Sequence, residues 1–342
     1  SVTEYAFTFE DEQTTVELSK ADLTDKKELP GASLKVTDED GNTVDEWVSK
    51  EEAHIIKGLI VGKKYKMTET KPADGYVTAE SIEFTVENTK EVQKHQMLDD
   101  VTKVEISKKD ITDSSEVPGA KLIILDKDGK KVESWTSTDK PHMVEKLPVG
   151  EYTLREEQAP DGYLIAEDVK FTVKDTGKVQ KIKMKDAHPY GKLVIKKTDS
   201  TSKAALSGAE FELREKESGK VVEKLVTDKT GTATSGKIPI ATYKNGKVEK
   251  TVEYILVETK APNGYELSSK KEEIRFEYKD GKTKVIEIVK EIKNTKSPSG
   301  STPTGNSPKT GDSTNIWLPI LLAVLSACGI GGVIWYKKKK GN

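Results

Sequence analysis

The amino-acid sequence predicts an all-β protein made of three tandem β-sandwiches, followed by a linker and one C-terminal transmembrane helix. Three observations support this fold class. One pattern occurs three times, and its first segment reads VELSKAD, VEISKKD and LVIKKTD from residues 16, 104 and 193. Within each repeat, short runs alternate apolar and polar residues between Gly, Pro and Asp-Gly turns, which is typical of a sandwich of about seven strands. Residues 316–336 are uncharged and long enough to cross a bilayer as a helix.

Composition limits the classes of function. The 342 residues include 56 basic and 58 acidic side chains, with a net charge of −2 and interspersed signs. This balance argues against a nucleic-acid partner. The four histidines show no metal-ligand spacing, and the sequence contains neither a nucleotide-binding loop nor a hydrolytic triad. We therefore expect no metal, no cofactor and no enzyme that acts on another molecule.

The repeated segments set the predicted domain boundaries. These are repeat 1 (residues 12–102), repeat 2 (residues 103–190) and repeat 3 (residues 191–296). Lys20 and Lys108 are 88 residues apart, and Lys108 and Lys197 are 89 apart. Repeat 3 is longer than the others, and its extra residues fall between Thr230 and Thr251. We predict an enlarged hairpin there.

Each repeat directs three polar side chains toward the apolar face of its strands. Lys20 shares a strand face with Val16 and Leu18, and the same alternation places Glu69 and Asp99 on apolar faces. The equivalent residues of the other repeats are Lys108, Glu156, Asp186, Lys197, Glu258 and Asn294. A buried charge without a partner is costly, so these groups are expected to pair or to react.

Burial also predicts a reaction. It favours a neutral amine beside a protonated acid, and an amine held against a carboxyl or carboxamide carbon is an effective nucleophile. The neighbouring glutamate can move protons while water or ammonia leaves. The product is an intramolecular isopeptide bond, formed by self-catalysis. The alternatives are a buried salt bridge that does not react and lysines that extend to solvent.

The repeats resemble CnaB-type (SpaA-like) domains of Gram-positive surface proteins. The resemblance rests on the K-x-D first strand, a P/S-G-A step and a Y-x-x-x-E-x-x-A-P-x-G-Y box, and it covers nearly all of residues 14–296. It implies a reverse immunoglobulin-like sandwich. By position, the bonded pairs would be Lys20–Asp99, Lys108–Asp186 and Lys197–Asn294, with Glu69, Glu156 and Glu258 as the respective catalysts. Repeat 1 departs from the box, reading KPADGY, and Asp100 is a rival acceptor to Asp99.

Residues 1–11 are interpreted as the last strand of a truncated upstream repeat. Asp11 lies nine residues before Lys20, which is the spacing from Asp99 to Lys108. An alternating aromatic run also ends at Asp11. This residue would then be an orphan acceptor for an upstream lysine. An exposed acidic tail is the alternative.

The C-terminus contains a linker at residues 297–306 and a sorting signal at residues 307–342. The signal comprises Ser307, Pro308, Lys309, Thr310 and Gly311, then the apolar span and four lysines. This order resembles a sortase signal of the LPXTG type, and a plain membrane anchor is the alternative. The resemblance implies cleavage between Thr310 and Gly311 and transfer to peptidoglycan. Serine in first position is similar to substrates of some class B sortases.

These features predict the wall-anchored stalk of a secreted Gram-positive surface adhesin, rigidified by isopeptide bonds. A missing N-terminal head would bind a host extracellular-matrix ligand. Two other functions are open. The chain could be a minor or basal pilin subunit, for which TYKNG at residues 242–246 is a weak match to the required lysine motif. Alternatively, the repeats could themselves bind a host matrix protein.

Overall fold

A computed structural model describes residues 12–298, which form strands, turns and loops but no helix. The all-β prediction is confirmed for this part of the chain. None of the described residues belongs to a helix that could span a membrane. The predicted transmembrane segment at 316–336, the sorting motif at 307–311 and Asp11 lie outside the described residues.

Repeat 1 consists of two sheets that share one apolar core. Its strands are β1 (Thr15–Asp22), β2 (Ser33–Thr37), β3 (Thr43–Val48), β4 (His54–Lys57), β5 (Lys64–Lys71), β6 (Ile82–Thr85) and β7 (Gln93–Asp99). The sheets have the orders β4-β1-β7 and β3-β2-β5-β6. Alternate residues of both sheets enter the core, including Val16, Leu34, Met67 and Phe84.

Repeat 2 has the same architecture. Its strands are β8 (Lys103–Asp110), β9 (Lys121–Asp126), β10 (Lys131–Thr136), β11 (His142–Glu145), β12 (Gly150–Gln158), β13 (Val169–Val173) and β14 (Gln180–Asp186). The sheets are ordered β11-β8-β14 and β10-β9-β12-β13. The repeated sequence pattern thus gives a repeated strand order.

Repeat 3 keeps this plan and adds strands. They are β15 (Tyr190–Asp199), β16 (Glu210–Glu215), β17 (Val221–Val226), β18 (Thr232–Thr234), β19 (Ile238–Pro239), β20 (Ala241–Lys244), β21 (Lys247–Thr251), β22 (Glu253–Lys260), β23 (Glu272–Arg275) and β24 (Val285–Asn294). One sheet has the order β18-β15-β19 with β24 beside β15, and the other has the order β17-β16-β22-β23.

The extra residues of repeat 3 form the hairpin β20–β21, as the sequence predicts. Its turn contains Asn245 and Gly246, with φ of 52° and 69°. Two left-handed residues fit the turn type that matches strand twist. Gly246 also lies against the backbone of Glu116 in repeat 2, where a Cβ atom would clash. The hairpin therefore extends from its own repeat onto the preceding one.

The first and last strands of every repeat lie side by side and run parallel. In repeat 1, Lys20 is opposite Met97 and Asp22 is opposite Asp99. In repeat 3, Lys197 is opposite Ile292. A lysine side chain on the first strand can therefore reach an acceptor two positions along the last strand. This register positions the candidate site.

Candidate functional site

Each repeat gathers its lysine, glutamate and acceptor in the core, near one end of the sandwich. In repeat 1, Lys20 on β1 and Asp99 on β7 come from one sheet, whereas Glu69 on β5 comes from the other. All nine predicted side chains of the three repeats are buried. The three lysines are only 0–2% exposed, so they do not extend to solvent. We call each set of three residues a triad.

The lysine amine contacts both partners in every triad. Its Nζ lies 2.9 Å from Glu69 Oε1 in repeat 1 and 3.0 Å from the equivalent glutamates in repeats 2 and 3. The same nitrogen is in close contact with an acceptor oxygen, namely Asp99 Oδ1, Asp186 Oδ1 or Asn294 Oδ1. The amine of each repeat is therefore next to the carbon that it would attack.

A backbone N–H fixes the orientation of each glutamate. Ala79 N donates to Glu69 Oε2 over 2.6 Å, and Ala166 N donates to Glu156 Oε2 over the same distance. Ser268 N makes the third such bond, to Glu258 Oε2, over 2.8 Å. Each donor lies ten residues after its glutamate, in the loop that follows the glutamate's strand, so this loop holds the carboxylate while it faces the lysine.

The acceptors differ in how they meet the glutamate. Asn294 Nδ2 donates to Glu258 Oε1 and Oε2 over 3.0 and 3.1 Å. In repeats 1 and 2, Asp99 Oδ2 and Asp186 Oδ2 are buried and have no hydrogen-bond partner among residues 12–298. A proton on either Oδ2 would supply the donor that the Asn294 amide supplies in repeat 3.

Burial changes the acid–base properties of the triads. It raises the pKa of Asp99 and of Asp186 to about 7, although the adjacent lysines oppose the shift. In repeat 3, burial lowers the pKa of Lys197, against the effect of Glu258. These pKa directions favour a protonated acceptor acid in repeats 1 and 2, and in repeat 3 an amine that gives up its proton more readily.

Asp100 takes no part in the triad of repeat 1. Its carboxylate accepts hydrogen bonds from Lys103 Nζ over 2.8 and 2.9 Å. Asp99 is fully buried and faces Lys20 instead. The alternation of the strand thus separates these neighbouring acids.

Sequence reasoning missed a second polar pair beside each triad. The aspartate of each K-x-D motif accepts a hydrogen bond from the tyrosine of the G-Y box: Tyr76 to Asp22 over 2.7 Å, Tyr163 to Asp110 over 2.8 Å and Tyr265 to Asp199 over 2.9 Å. Burial raises the pKa of Asp22, but the bonds from Tyr76 and Thr24 outweigh it and lower the value to about 2. The aspartate and the tyrosine recur together in all three repeats, and this joint recurrence could have indicated the pairing.

The SpaA family, described as a prealbumin-like fold domain, matches residues 14–100, 102–188 and 191–292. A search of curated proteins gave no match. Among solved structures, the Bacillus anthracis TIE protein is 27% identical, with a TM-score of 0.55 and coverage of 84% of this chain. The chain spans 52% of the length of that structure.

Two pilin structures are similar at lower identity. BcpA, the major pilin subunit of Bacillus cereus, is 19% identical with a TM-score of 0.49, over 84% of this chain and 100% of that one. SpaD, the major pilin from Corynebacterium diphtheriae, is 18% identical with a TM-score of 0.38, over 85% and 99%.

Proposed function

This chain belongs to the SpaA family of prealbumin-like fold domains, and from that premise we propose that it is the wall-anchored stalk of a Gram-positive surface protein whose three repeats each form an isopeptide bond. One observation carries this proposal. In all three repeats, a buried lysine amine contacts both a glutamate and the side-chain oxygen of an Asp or Asn on the adjacent strand.

The proposed reaction joins Lys Nζ to the side-chain carbonyl carbon of the acceptor. In repeat 1, Glu69 takes a proton from Lys20 Nζ as the amine attacks Cγ of protonated Asp99. Glu69 then gives that proton to the departing hydroxyl, so a C–N bond replaces a C–O bond and water leaves. In repeat 3 the same steps at Asn294 break a C–N bond, and ammonia leaves. No external reactant is required.

The bond would stabilise each repeat by closing a long loop. Lys20 and Asp99 are 79 residues apart, and Lys197 and Asn294 are 97 apart. By the chain-entropy model for disulfides, loops of this size contribute roughly 4–5 kcal/mol each. An amide provides this cross-link without any cysteine, and it does not depend on redox conditions.

The proposal of a wall anchor is supported only by the sequence after the described residues. The motif from Ser307 to Gly311 precedes an apolar run and four lysines. A sortase would cleave the Thr310–Gly311 bond and join the Thr310 carbonyl to a peptidoglycan amine. The serine in first position supports a class B enzyme. The mature protein would be secreted and covalently held in the cell wall.

The segment that leads into β1 supports the assignment of Asp11 to an upstream repeat. Thr14 Oγ1 donates to Leu59 O over 2.6 Å, and Thr102 Oγ1 donates to Leu147 O over 2.6 Å. Thr14, just before β1, thus makes the same hydrogen bond to a loop carbonyl as Thr102, which connects repeats 1 and 2. An upstream repeat lacking its last strand should form a covalent adduct with this chain. Asp11→Ala should abolish the adduct, and the absence of any adduct would refute the assignment.

Intact mass under denaturing conditions tests the three bonds. Loss of two water molecules and one ammonia predicts a deficit of about 53 Da relative to the sequence. The variants Glu69→Ala, Glu156→Ala and Glu258→Ala should each restore one increment of about 17 or 18 Da. An unmodified mass in the parent protein would refute the proposal and leave three buried ion clusters.

A further inference from the structure

A groove of about 760 Å³ lies where repeats 2 and 3 meet. One wall is the segment 164–169 and the end of β14, both from repeat 2. The other wall is the turn 281–284, which precedes β24 in repeat 3. The groove borders the triad of repeat 2, because Ala166 lines it and donates its backbone N–H to Glu156. No triad side chain lines the groove, and the function proposed above does not require it.

Four lysines line this groove, two from each repeat: Lys183, Lys185, Lys282 and Lys284. All four are exposed. Within residues 12–298 none of them forms an ion pair, in contrast to Lys181, which lies 3.2 Å from Glu105 on the same strand face. Free ammonium groups around one concave surface produce a positive potential that attracts anions. This is a local reversal in a chain whose net charge is −2.

Acidic residues of the groove do not cancel this charge. Two of them line it, Glu167 and Asp168. Arg155 already pairs with Asp168, with Nη2 donating to Oδ2 over 2.6 Å. The four lysines of the groove therefore face a single carboxylate, that of Glu167, which forms no ion pair within the described residues.

The two walls are held together by direct hydrogen bonds. Ile165 N donates to Gly281 O over 2.8 Å, and Tyr278 OH donates to Tyr163 O over 3.1 Å. Gly281 sits so close to Ile165 that a Cβ atom would lie 2.9 Å from its Cγ1. The lysine pairs of the two repeats consequently keep a fixed relation, which lowers the entropic cost of binding a ligand across both.

We propose that this groove binds a linear polymer that bears sulfate or phosphate esters. Lysine is a compact point charge that suits such anions without requiring planar geometry. A volume of about 760 Å³ exceeds what a single anion fills. Apolar lining from Leu164, Ile165 and Ala187 offers contact for the carbon backbone between the charged groups. A stalk would thereby gain a lateral attachment to an anionic glycan or polyol chain.

The test compares two probes on the whole chain by fluorescence anisotropy: a sulfated disaccharide-repeat oligomer and a poly(glycerol phosphate) oligomer. The variant K183Q/K185Q/K282Q/K284Q should weaken binding of at least one probe by about tenfold or more. A control with the same change in charge is K121Q/K130Q/K131Q/K140Q, whose lysines are exposed, lie in repeat 2 and do not line the groove. It should change affinity by less than about twofold.

The outcomes separate the possible sources. Tighter binding of the sulfated probe would indicate a sulfated glycan as the ligand. Tighter binding of the poly(glycerol phosphate) probe would indicate a polyol phosphate. Either result supports the site if only the groove variant loses affinity. Equal losses in both variants would overturn the proposal, because the attraction would then be general. Failure of both probes to bind would also overturn it. The mass deficit reports separately on the isopeptide bonds.

Discussion

The acceptor residue differs by one chemical group between the repeats: repeats 1 and 2 carry a carboxyl and repeat 3 a carboxamide. Asn294 donates to Glu258 through an N–H that it always possesses. Asp99 and Asp186 can make the equivalent donation only when protonated. The three sites therefore share a geometry but differ in their dependence on pH.

We expect bond formation in repeats 1 and 2 to slow as pH rises through about 7. Burial raises the pKa of Asp99 and Asp186 to about that value, and the reacting state requires the protonated acid. Each further pH unit should lower their rates by up to about tenfold, whereas repeat 3 should not follow this curve. The measurement is peptide mapping by mass in a chain that is prepared unfolded and then refolded over a range of about pH 5–9.

The matched control for this pH dependence is Asp186→Asn. It converts the triad of repeat 2 to the composition found in repeat 3, so the bond should still form and lose ammonia in place of water. Its rate should no longer fall above about pH 7. An unchanged pH profile in this variant would contradict the role assigned to the Asp186 proton.

Glu156→Ala should leave Lys108 and Asp186 unjoined. The variant removes the carboxylate that lies 3.0 Å from Lys108 Nζ and carries protons in the proposed reaction. The mass should rise by one water, about 18 Da, beyond the change caused by the substitution. Glu157→Ala is the control, since this neighbour is exposed on the opposite strand face. Bond formation in the first variant, or its loss in the second, would contradict the assignment.

Tyr163→Phe should destabilise repeat 2 more than Tyr152→Phe does. The Tyr163 hydroxyl donates to the Asp110 carboxylate, whereas the Tyr152 hydroxyl donates to the neutral carbonyl of Pro148. Bonds to charged groups contribute about 1.5–3 kcal/mol and neutral ones about 0.5–1.5 kcal/mol. Hydrogen exchange of the β8 amides measures the difference. Equal effects would show that the hydrogen bond between Tyr163 and Asp110 stabilises repeat 2 no more than a neutral hydrogen bond does.

At the scale of elements, the hairpin β20–β21 joins repeats 2 and 3. Tyr243 stacks on His188 with ring centroids 3.5 Å apart and donates to Gly162 O over 2.8 Å. It also packs with Val117 and Tyr163, so one apolar cluster contains side chains of both repeats. The corresponding cluster at the end of repeat 1 contains only residues of that repeat.

Tyr243→Ala should therefore loosen the junction between repeats 2 and 3, by roughly 2 kcal/mol. Spin labels at Lys130→Cys and Lys220→Cys, with Cys328→Ser, report the distance distribution between the two repeats. The distribution should broaden in the Tyr243 variant. Thr242→Ala is the control, because Thr242 bonds only within the hairpin, to Glu249 over 3.2 Å. Equal distributions in all proteins would show that the hairpin does not fix the junction.

The strand pattern and the burial of the triad lysines could be predicted because β-strands alternate with a strict period of two. Lys20 and Asp99 follow apolar residues of the same parity, and both are buried. The extra length of repeat 3 predicts its hairpin. The contact of this hairpin with the backbone of Glu116 could not be predicted, because contacts between repeats leave no periodic pattern in the sequence. The Asp22–Tyr76 bond was missed because turn motifs give backbone conformation and not side-chain partners.

At the scale of the whole molecule, the bonds would determine how the stalk responds to pulling. The first and last strands are adjacent and parallel, so a Lys–Asp bridge connects the entry and exit of each repeat directly. Single-molecule stretching of the parent protein should show no unfolding of any repeat. Glu69→Ala or Glu156→Ala should release one repeat, adding about 260–280 Å of length from 79 or 78 residues at roughly 3.3–3.6 Å each, and Glu258→Ala should add about 320–350 Å from 97 residues. Unfolding in the parent protein would contradict the cross-linked stalk.

The parallel pairing of first and last strands has a consequence for resistance to proteolysis. Once the proposed bonds exist, a cut between residues 21 and 98 leaves both fragments attached, because the chain still continues through Lys20 and Asp99. Only cleavage within residues 100–107 or 187–196 would sever the path between repeats. Of these residues Lys196 alone is exposed. The segments on which continuity depends are thus the ones that a protease reaches least, and the exposed loops can be cut without separating the repeats.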